Sequence, residues 1–430
     1  MSRLHALLAV PAVLIAACTG EAAEPDGARV IRVPRDQATI GSAVADARPG
    51  SLVLISPGVY HESVHIRTDH VTLRGTDRNG VVIDGQGRRR HGVVVTAPAV
   101  VVENLTVRDH LFNGVLLTGA TRDGGEPDAR GADGYQRLDP DRSPPLEGFR
   151  VRYVTAANNG LHGIYAFNAR HGVIEHNYAS GSAGSGLHVG QCKPCHVLVT
   201  DNVAEHNAVG YEGTNAGIGL WVLRNRFTRN RVGMSIGSDY LEAFRPQEDS
   251  AVAGNLVADN AEPRTPQQAD GGFGIGIGIG GGQRNTVVRN LVRGHPRAGL
   301  VLTSTEDIPA IGNNAHANAF ADNAVDFANT ATGRAPSRDN CLRGNTAATA
   351  HPADLPVADC PPAGADLPAA PLPRAPRAPA GTSFRDVPLP PAQPQLPDPA
   401  TATVERLPPV PPLDRVTLPD PSLLADRSRP

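Results

Sequence analysis

The feature that most limits what this chain can fold into is a short unit repeated along its length. An aliphatic strand ends at Asn, a second polar residue follows five positions later, and a Gly-aliphatic strand comes next. Val199-Thr200-Asp201-Asn202 is followed by Asn207 and Gly210-Tyr211-Glu212. Val222-Leu223-Arg224-Asn225 is followed by Asn230 and Gly233-Met234-Ser235, and Val252-Ala253-Gly254-Asn255 by Asn260. The leading asparagines are Asn177, Asn202, Asn225, Asn255, Asn290 and Asn313, spaced by 25, 23, 30, 35 and 23 residues. Loops such as 262–272 absorb the longer intervals, and Asn104 and Tyr153 extend the column toward the N-terminus. Leucine-rich repeats need a leucine consensus that is missing here, and propeller blades need about 40 residues per repeat.

One turn of a parallel β-helix closes with three short strands and three corners, about 20–25 residues. Inward aliphatic residues then stack on the same position of the next coil. Asn suits the corners, because it tolerates the left-handed conformation and its amides can hydrogen-bond along a column. The expectation is an all-β solenoid of about eight to ten coils, each rising about 4.8 Å. A segment at 38–47 (Ala38-Thr39-Ile40-Gly41-Ser42-Ala43-Val44-Ala45 and onward) reads as a short amphipathic helix capping the open apolar end. With Arg48-Pro49-Gly50-Ser51-Leu52-Val53-Leu54-Ile55-Ser56-Pro57-Gly58-Val59-Tyr60 after it, the opening resembles that of many pectin-lyase-like right-handed β-helix proteins. The resemblance covers about residues 30–330. It implies the fold, and a function among lyases, hydrolases, epimerases and non-catalytic binders.

Aligned Gly-aliphatic strands bring out a column. Tyr165 follows Gly163-Ile164, His188 follows Gly186-Leu187, Glu212 follows Gly210-Tyr211, and Ser235 follows Gly233-Met234, at spacings of 23, 24 and 23. Strand alternation turns the aliphatic residue inward and its successor outward. The four should form a ladder on one exposed sheet face, with Tyr165, His188 and Glu212 able to abstract and return protons. The loop after Ser235 offers Asp239, Glu242 and Arg245 for substrate or calcium. The stretch Tyr165-Ala166-Phe167-Asn168-Ala169-Arg170-His171 is similar to the Tyr-x-x-Asp-Pro-His run of alginate-type C5-epimerases and related lyases. Asn168 stands at the aspartate, Arg170 at the histidine, and His171 one place late. Other pectin-lyase-like families use a lysine or arginine base with calcium. Lys193 is the only lysine among 40 basic residues and lies within Cys192-Lys193-Pro194-Cys195. The alternation Gly274-Ile275-Gly276-Ile277-Gly278-Ile279-Gly280 has the period of a strand without outward side chains, and is not a nucleotide fingerprint.

The N-terminus gives an address. Arg3 leads into an apolar stretch over 7–17, too short to span a bilayer, which ends in Ile15-Ala16-Ala17-Cys18. That run resembles the lipobox of bacterial lipoproteins, which implies cleavage before Cys18, its acylation, and anchoring at the cell envelope by lipid alone. Four further cysteines in an oxidising compartment pair by proximity as Cys192–Cys195 and Cys341–Cys360. The first pair could also be free thiols or half a metal site. A formal net charge of −3 gives no sign of a nucleic-acid partner. Residues 361–430 hold 20 of the 39 prolines and read as a largely irregular, extended tail. Phe384, Val387, Leu389 and Leu396 are spaced so that parts of it could lie in a groove.

The organisation expected is therefore a signal peptide at 1–17, a linker at 18–29, a β-helix at 30–360 and the tail at 361–430. The leading function is action on an extracellular polysaccharide. The alternatives are a non-catalytic carbohydrate-binding or envelope scaffold module, and a periplasmic metal-handling accessory protein like some β-helices linked to copper maturation, using Cys192, Cys195, His196 and His188.

Overall fold

The computed structural model describes residues 29–121, 138–268, 271–347, 349–373, 377–401 and 407–429. The expected signal peptide, Cys18, nearly all of the 18–29 linker and much of the 121–148 insertion lie outside the described residues. The named strands pair in parallel, each with the strand one coil away, and the chain winds as a right-handed parallel β-helix. Three ladders run along it. One passes from Val64–Ile66 through Val93–Val95, Val115–Thr118, Ile164–Phe167 and Ser185–Cys192 and on to Ala350–His351. This ladder carries the column read from the sequence.

Its inward face shows why the repeat works. Ile164, Leu187, Tyr211, Met234, Ile277, Leu300 and Phe327 occupy one register position in successive coils. All are buried, and each such side chain taken from water contributes about 1.5–3 kcal/mol. Helix Ile40–Ala45 is shorter than the 38–47 segment, because Thr39 is its N-cap, with the Thr39 hydroxyl accepting from the Ser42 amide. It packs against strands Val30–Val33, Leu52–Ile55 and Val64–Ile66 with Ile40, Ala43 and Val44 buried.

The corner chemistry corrects two expectations. The left-handed residue is the one before each leading asparagine: His176, Asp201, Arg224, Gly254, Arg289 and Gly312 all have φ between 53° and 66°. The asparagine supplies the amide ladder instead. The Asn202 backbone N–H and side-chain Nδ2 donate to Asn225 Oδ1 at 3.0 and 2.9 Å, and Asn225 repeats this onto Asn255. The ladder continues from Asn290 to Asn318 and then Asn345, not to Asn313. Asn313 belongs to a parallel column between Asn285 and Asn340. Asn104 and Tyr153 sit one residue off, at the left-handed corner itself, with φ of 57° and 52°. A third column runs through Asn207, Asn230 and Asn260, and His295 takes the next place in it.

The proline-rich segment is irregular apart from short 3-10 turns, and it docks along the body. Val387 and Leu396 are buried, Phe384 is half-buried and Leu389 is exposed. The Leu396 N–H donates to Asn104 Oδ1 at 2.8 Å, and Asn158 Nδ2 donates to the Val387 carbonyl at 2.7 Å. Arg427 donates to the carbonyls of Asp201 and Asn177, and Ser428 and the Arg429 amide cover the fully buried Glu205 carboxylate. Outward charges on the body are thereby taken out of water with partners in place. Arg74 and Arg152 flank Glu103 at 2.5 and 2.6 Å, and Arg74 also reaches the Pro399 carbonyl.

Candidate active site

Tyr165, His188, Glu212 and Ser235 are consecutive partners in one register, as the alternation requires. The face they occupy is not an open one. His188 is only 5% exposed, because it lies in a cleft of about 380 Å³ walled by the corner at Leu161 and His162, by Gln267 and Gln268, and by Asp239 and Glu242. Phe112 and Phe167 add apolar surface, and Arg90 and His91 close one end. The cleft collects Tyr165, His188, Glu212, Asp239 and Glu242. It does not include Ser235 or Arg245. Ser235 lies one coil beyond Glu212, opposite Gly278, and Arg245 turns back over the ring of Tyr240 at 4.5 Å. A short loop can satisfy its own guanidinium in this way, so sequence proximity to the ladder did not bring Arg245 to it.

At the centre the rings of Tyr165 and His188 stack, with centroids 4.3 Å apart and planes 21° apart. His162 meets His188 edge-on, Nε2 to Nδ1 at 3.3 Å. The Ser185 backbone N–H and hydroxyl lie 3.1 and 2.9 Å from His162 Nδ1, and with the N–H donating there the His162 proton is assigned to Nε2. His162 therefore donates to His188 Nδ1, and His188 carries its own proton on Nε2. That Nε2 is buried and has no hydrogen-bond partner. Burial, with the His162 imidazole beside it, holds His188 well below the usual histidine range, so the ring is neutral near pH 7. Glu212 Oε2 lies 3.7 Å from His188 Nδ1 and accepts from Gln268 Nε2 at 3.3 Å.

Gly190 sits next to this group for a physical reason. A Cβ there would stand 3.1 Å from His188 Nε2 and 3.3 Å from Tyr165 Oη. The missing side chain leaves a space on which a phenol oxygen and a buried N–H converge. His162 was not found from the sequence. It precedes the glycine of its strand, where later coils carry Ser185, Val209 and Val232. Asn113 and Ser185 at the same position in the flanking coils were the available signal.

The epimerase-like run and the metal-site alternative for the cysteine pair both fail, whereas the expected disulfides form. Asn168 donates to the Ser143 carbonyl, and Arg170 and His171 both engage Glu147 at the corner after the strand. Of the epimerase-like run, Tyr165 and Phe167 line the cleft while Asn168, Arg170 and His171 do not, because the strand ends at Phe167 and the chain turns away. Cys192 and Cys195 are joined in a disulfide and are both buried, and Cys341 is joined to Cys360. The first pair therefore offers no thiolate to a metal alongside His196 or His188, and His196 instead stacks on His171.

Among the described residues, the cluster that could hold a metal is His162, His188 and Glu212, whose ligand atoms lie within 4.8 Å of one another. Two imidazoles suit calcium poorly, since it takes oxygen ligands. The Ser185 N–H on His162 also places a proton where a softer ion would bind. As arranged, the group is a hydrogen-bonded chain ending in a free donor.

The fold and cleft define a right-handed β-helix protein with a walled, polar cavity on one sheet. The right handed beta helix region family model matches residues 146–320. Among solved structures, the chain is similar to the ORF18 protein of Geobacillus virus E2 (10% identity, TM-score 0.40, covering 72% of this chain and 62% of that one). It is also similar to the enzymatically active domain of tailspike protein 2 of bacteriophage CBA120 (10%, 0.42, 68% and 44%). A third is the A-module of mannuronan C-5 epimerase AlgE6 of Azotobacter vinelandii (14%, 0.42, 74% and 90%). The chain thus spans less than two thirds of the first two. No curated protein matches it in sequence.

Proposed function

We propose that this chain is an enzyme acting on an extracellular polysaccharide, with the glycan held in the cleft and Tyr165, His188 and Glu212 at the reacting atoms. The observation that carries this reading is the buried His188 Nε2–H, without a partner, facing the same space above Gly190 as Tyr165 Oη. An unsatisfied buried donor costs about 1–3 kcal/mol, and a sugar oxygen in that space would relieve it. The rest of the lining suits a carbohydrate: flat aromatic faces at Phe112 and Tyr165, amides at Asn113, Gln191 and Gln268, and carboxylates for proton transfer.

The same reading places the protein at the cell envelope, held by lipid on Cys18. The lipobox-like Ile15-Ala16-Ala17-Cys18 and the two disulfides support export. No helix among the described residues is long and apolar enough to cross a membrane. A Cys18→Ala variant should leave the membrane fraction while the parent stays in it.

The enzyme reading is tested by incubating the purified protein with polyuronates, neutral glycans and amino-glycans. New reducing ends and unsaturated products are both followed, with and without calcium. Turnover that His188→Ala abolishes supports the assignment. Turnover that His188→Ala and Glu212→Ala both leave intact places the chemistry elsewhere, and binding without turnover makes the protein a recognition module.

A further inference from the structure

Residues 262–268 wall the cleft without belonging to the repeat, and a loop outside the ladders has low local stability. Its own anchors lie at its start, where the Glu262 N–H donates to the Asn230 carbonyl at 3.2 Å and the Thr265 hydroxyl to the Glu262 carbonyl at 2.8 Å. The C-terminal segment holds it further along. The Thr382 N–H donates to the Thr265 carbonyl at 2.9 Å, and the Gly381 N–H to Gln267 Oε1 at 3.3 Å. Arg231 secures the Pro379 carbonyl beside them. A Cβ on Gly381 would stand 2.7 Å from Gln267 Cβ and 2.8 Å from its backbone nitrogen, so this close approach requires glycine. The next residue of the loop, Gln268, donates to Glu212 in the cleft.

The same short stretch reaches the opposite wall. The Phe384 ring lies against Gly160, where a Cβ would meet its Cε1 at 3.3 Å, and Arg385 donates to the Gly87 carbonyl at 2.8 Å. Gly160 leads directly into Leu161 and His162, and Gly87 into Arg90 and His91, all of which line the cleft. Pro379 and Pro388 bracket the stretch, and their fixed φ lowers the entropy it loses on docking. We propose that residues 379–387 brace the cleft. Gly381 and Thr382 are positioning residues for Gln268 and through it for the Glu212 carboxylate, and Phe384 and Arg385 for the corner that carries His162. This rests on the reading of the cleft as the site of turnover, where a displacement of about 1 Å can cost about a hundredfold in rate.

The test compares the full chain with three single variants. Gly381→Ala forces a methyl against Gln267, and Phe384→Ala removes the ring from Gly160. Arg427→Ala loosens the same C-terminal segment at its other anchor, on the Asp201 and Asn177 carbonyls, and is the control. Amide exchange should quicken at least roughly tenfold over 262–268 in Gly381→Ala and over 158–162 in Phe384→Ala, with the buried strands unchanged. The ring 15N signals of His188 at pH 7, which report its tautomer, should move in Phe384→Ala. On any glycan that the parent turns over, kcat should fall roughly tenfold in both variants with KM changing less than about threefold. Arg427→Ala should lower the melting temperature and leave all three readouts at parental values. Parental exchange over both segments would overturn the inference, and so would faster exchange with parental His188 signals and parental kcat. A parent that turns over no glycan would overturn the enzyme reading alone, since exchange and the His188 signals still decide whether the segment braces the cleft.

Discussion

His162 donates its Nε2 proton to Nδ1 of His188 across 3.3 Å, because the Ser185 backbone N–H occupies the other nitrogen of His162. The consequence is a fixed tautomer at His188, with its only proton facing the cleft. His162 is thus a positioning residue. His162→Gln should lower kcat by roughly ten- to a hundredfold with KM little changed, as expected when a reacting group loses its orientation. The pH profile should also shift, since His188 loses the neighbouring imidazole that helps to hold its pKa down. A purely structural role would change the melting temperature without moving the profile.

Gly190→Ala is the sharpest probe of the space above the sheet. The added methyl would come within 3.1 Å of His188 Nε2 and 3.3 Å of Tyr165 Oη. Turnover and oligosaccharide affinity should fall at least tenfold, while stability to urea changes by less than about 1 kcal/mol. An unchanged affinity would mean that substrate does not enter that space.

The amide ladder can be weighed at Asn225. Its Oδ1 accepts from the Asn202 backbone and side chain, and its Nδ2 donates to Asn255 Oδ1 and to the Val199 and Leu223 carbonyls. Asn225→Ala strands the buried Asn202 N–H and should cost roughly 2–4 kcal/mol in urea denaturation. Asn225→Asp keeps the acceptor but loses the donors, so it should still destabilise.

Much of this was legible in the sequence. The Gly-aliphatic pairs set the alternation, and with it the register of Tyr165, His188 and Glu212. Asn313 was misplaced because asparagines five apart, such as Asn313 and Asn318, serve adjacent columns, and spacing alone cannot choose between them. Burial of the ladder depended on loops of non-repeating sequence folding over it. A period carries no information about where such loops go, which is also why Arg245 was assigned to the site; His162 was missed although it shares its repeat position with Asn113 and Ser185.

Docking of the C-terminal segment predicts a stability role. Arg427 reaches the carbonyls of Asp201 at 2.7 Å and Asn177 at 2.9 Å. Arg427→Ala removes both bonds from a buried setting and should cost roughly 2–3 kcal/mol. Deleting residues 377–430 should cost more, since it also bares the buried Glu205 carboxylate. Equal urea midpoints for the parent and the deletion would show that the segment does not pack in solution.

His295 supplies a pH test. It stands in an asparagine column as a neutral ring, with Nδ1 donating to Asn323 Oδ1 and Nε2 accepting from Asn260. Burial pushes its pKa down from 6.5 to about 4. Between those values the unfolded chain takes up a proton that the folded protein refuses. Stability should be full above pH 6.5, fall as pH drops toward 4, and level off below. His91, His110 and His206, also pushed down to about 4 chiefly by burial, add to the same slope. Each can contribute up to roughly 3 kcal/mol over that window. His295→Asn should keep the column and make unfolding less acid-sensitive.

The most direct measurement is a crystal structure of the protein with a bound oligosaccharide. A sugar oxygen within hydrogen-bonding distance of both His188 Nε2 and Tyr165 Oη, above Gly190, is the predicted result. An oligosaccharide bound elsewhere on the β-helix, with the cleft left to solvent, would contradict the account.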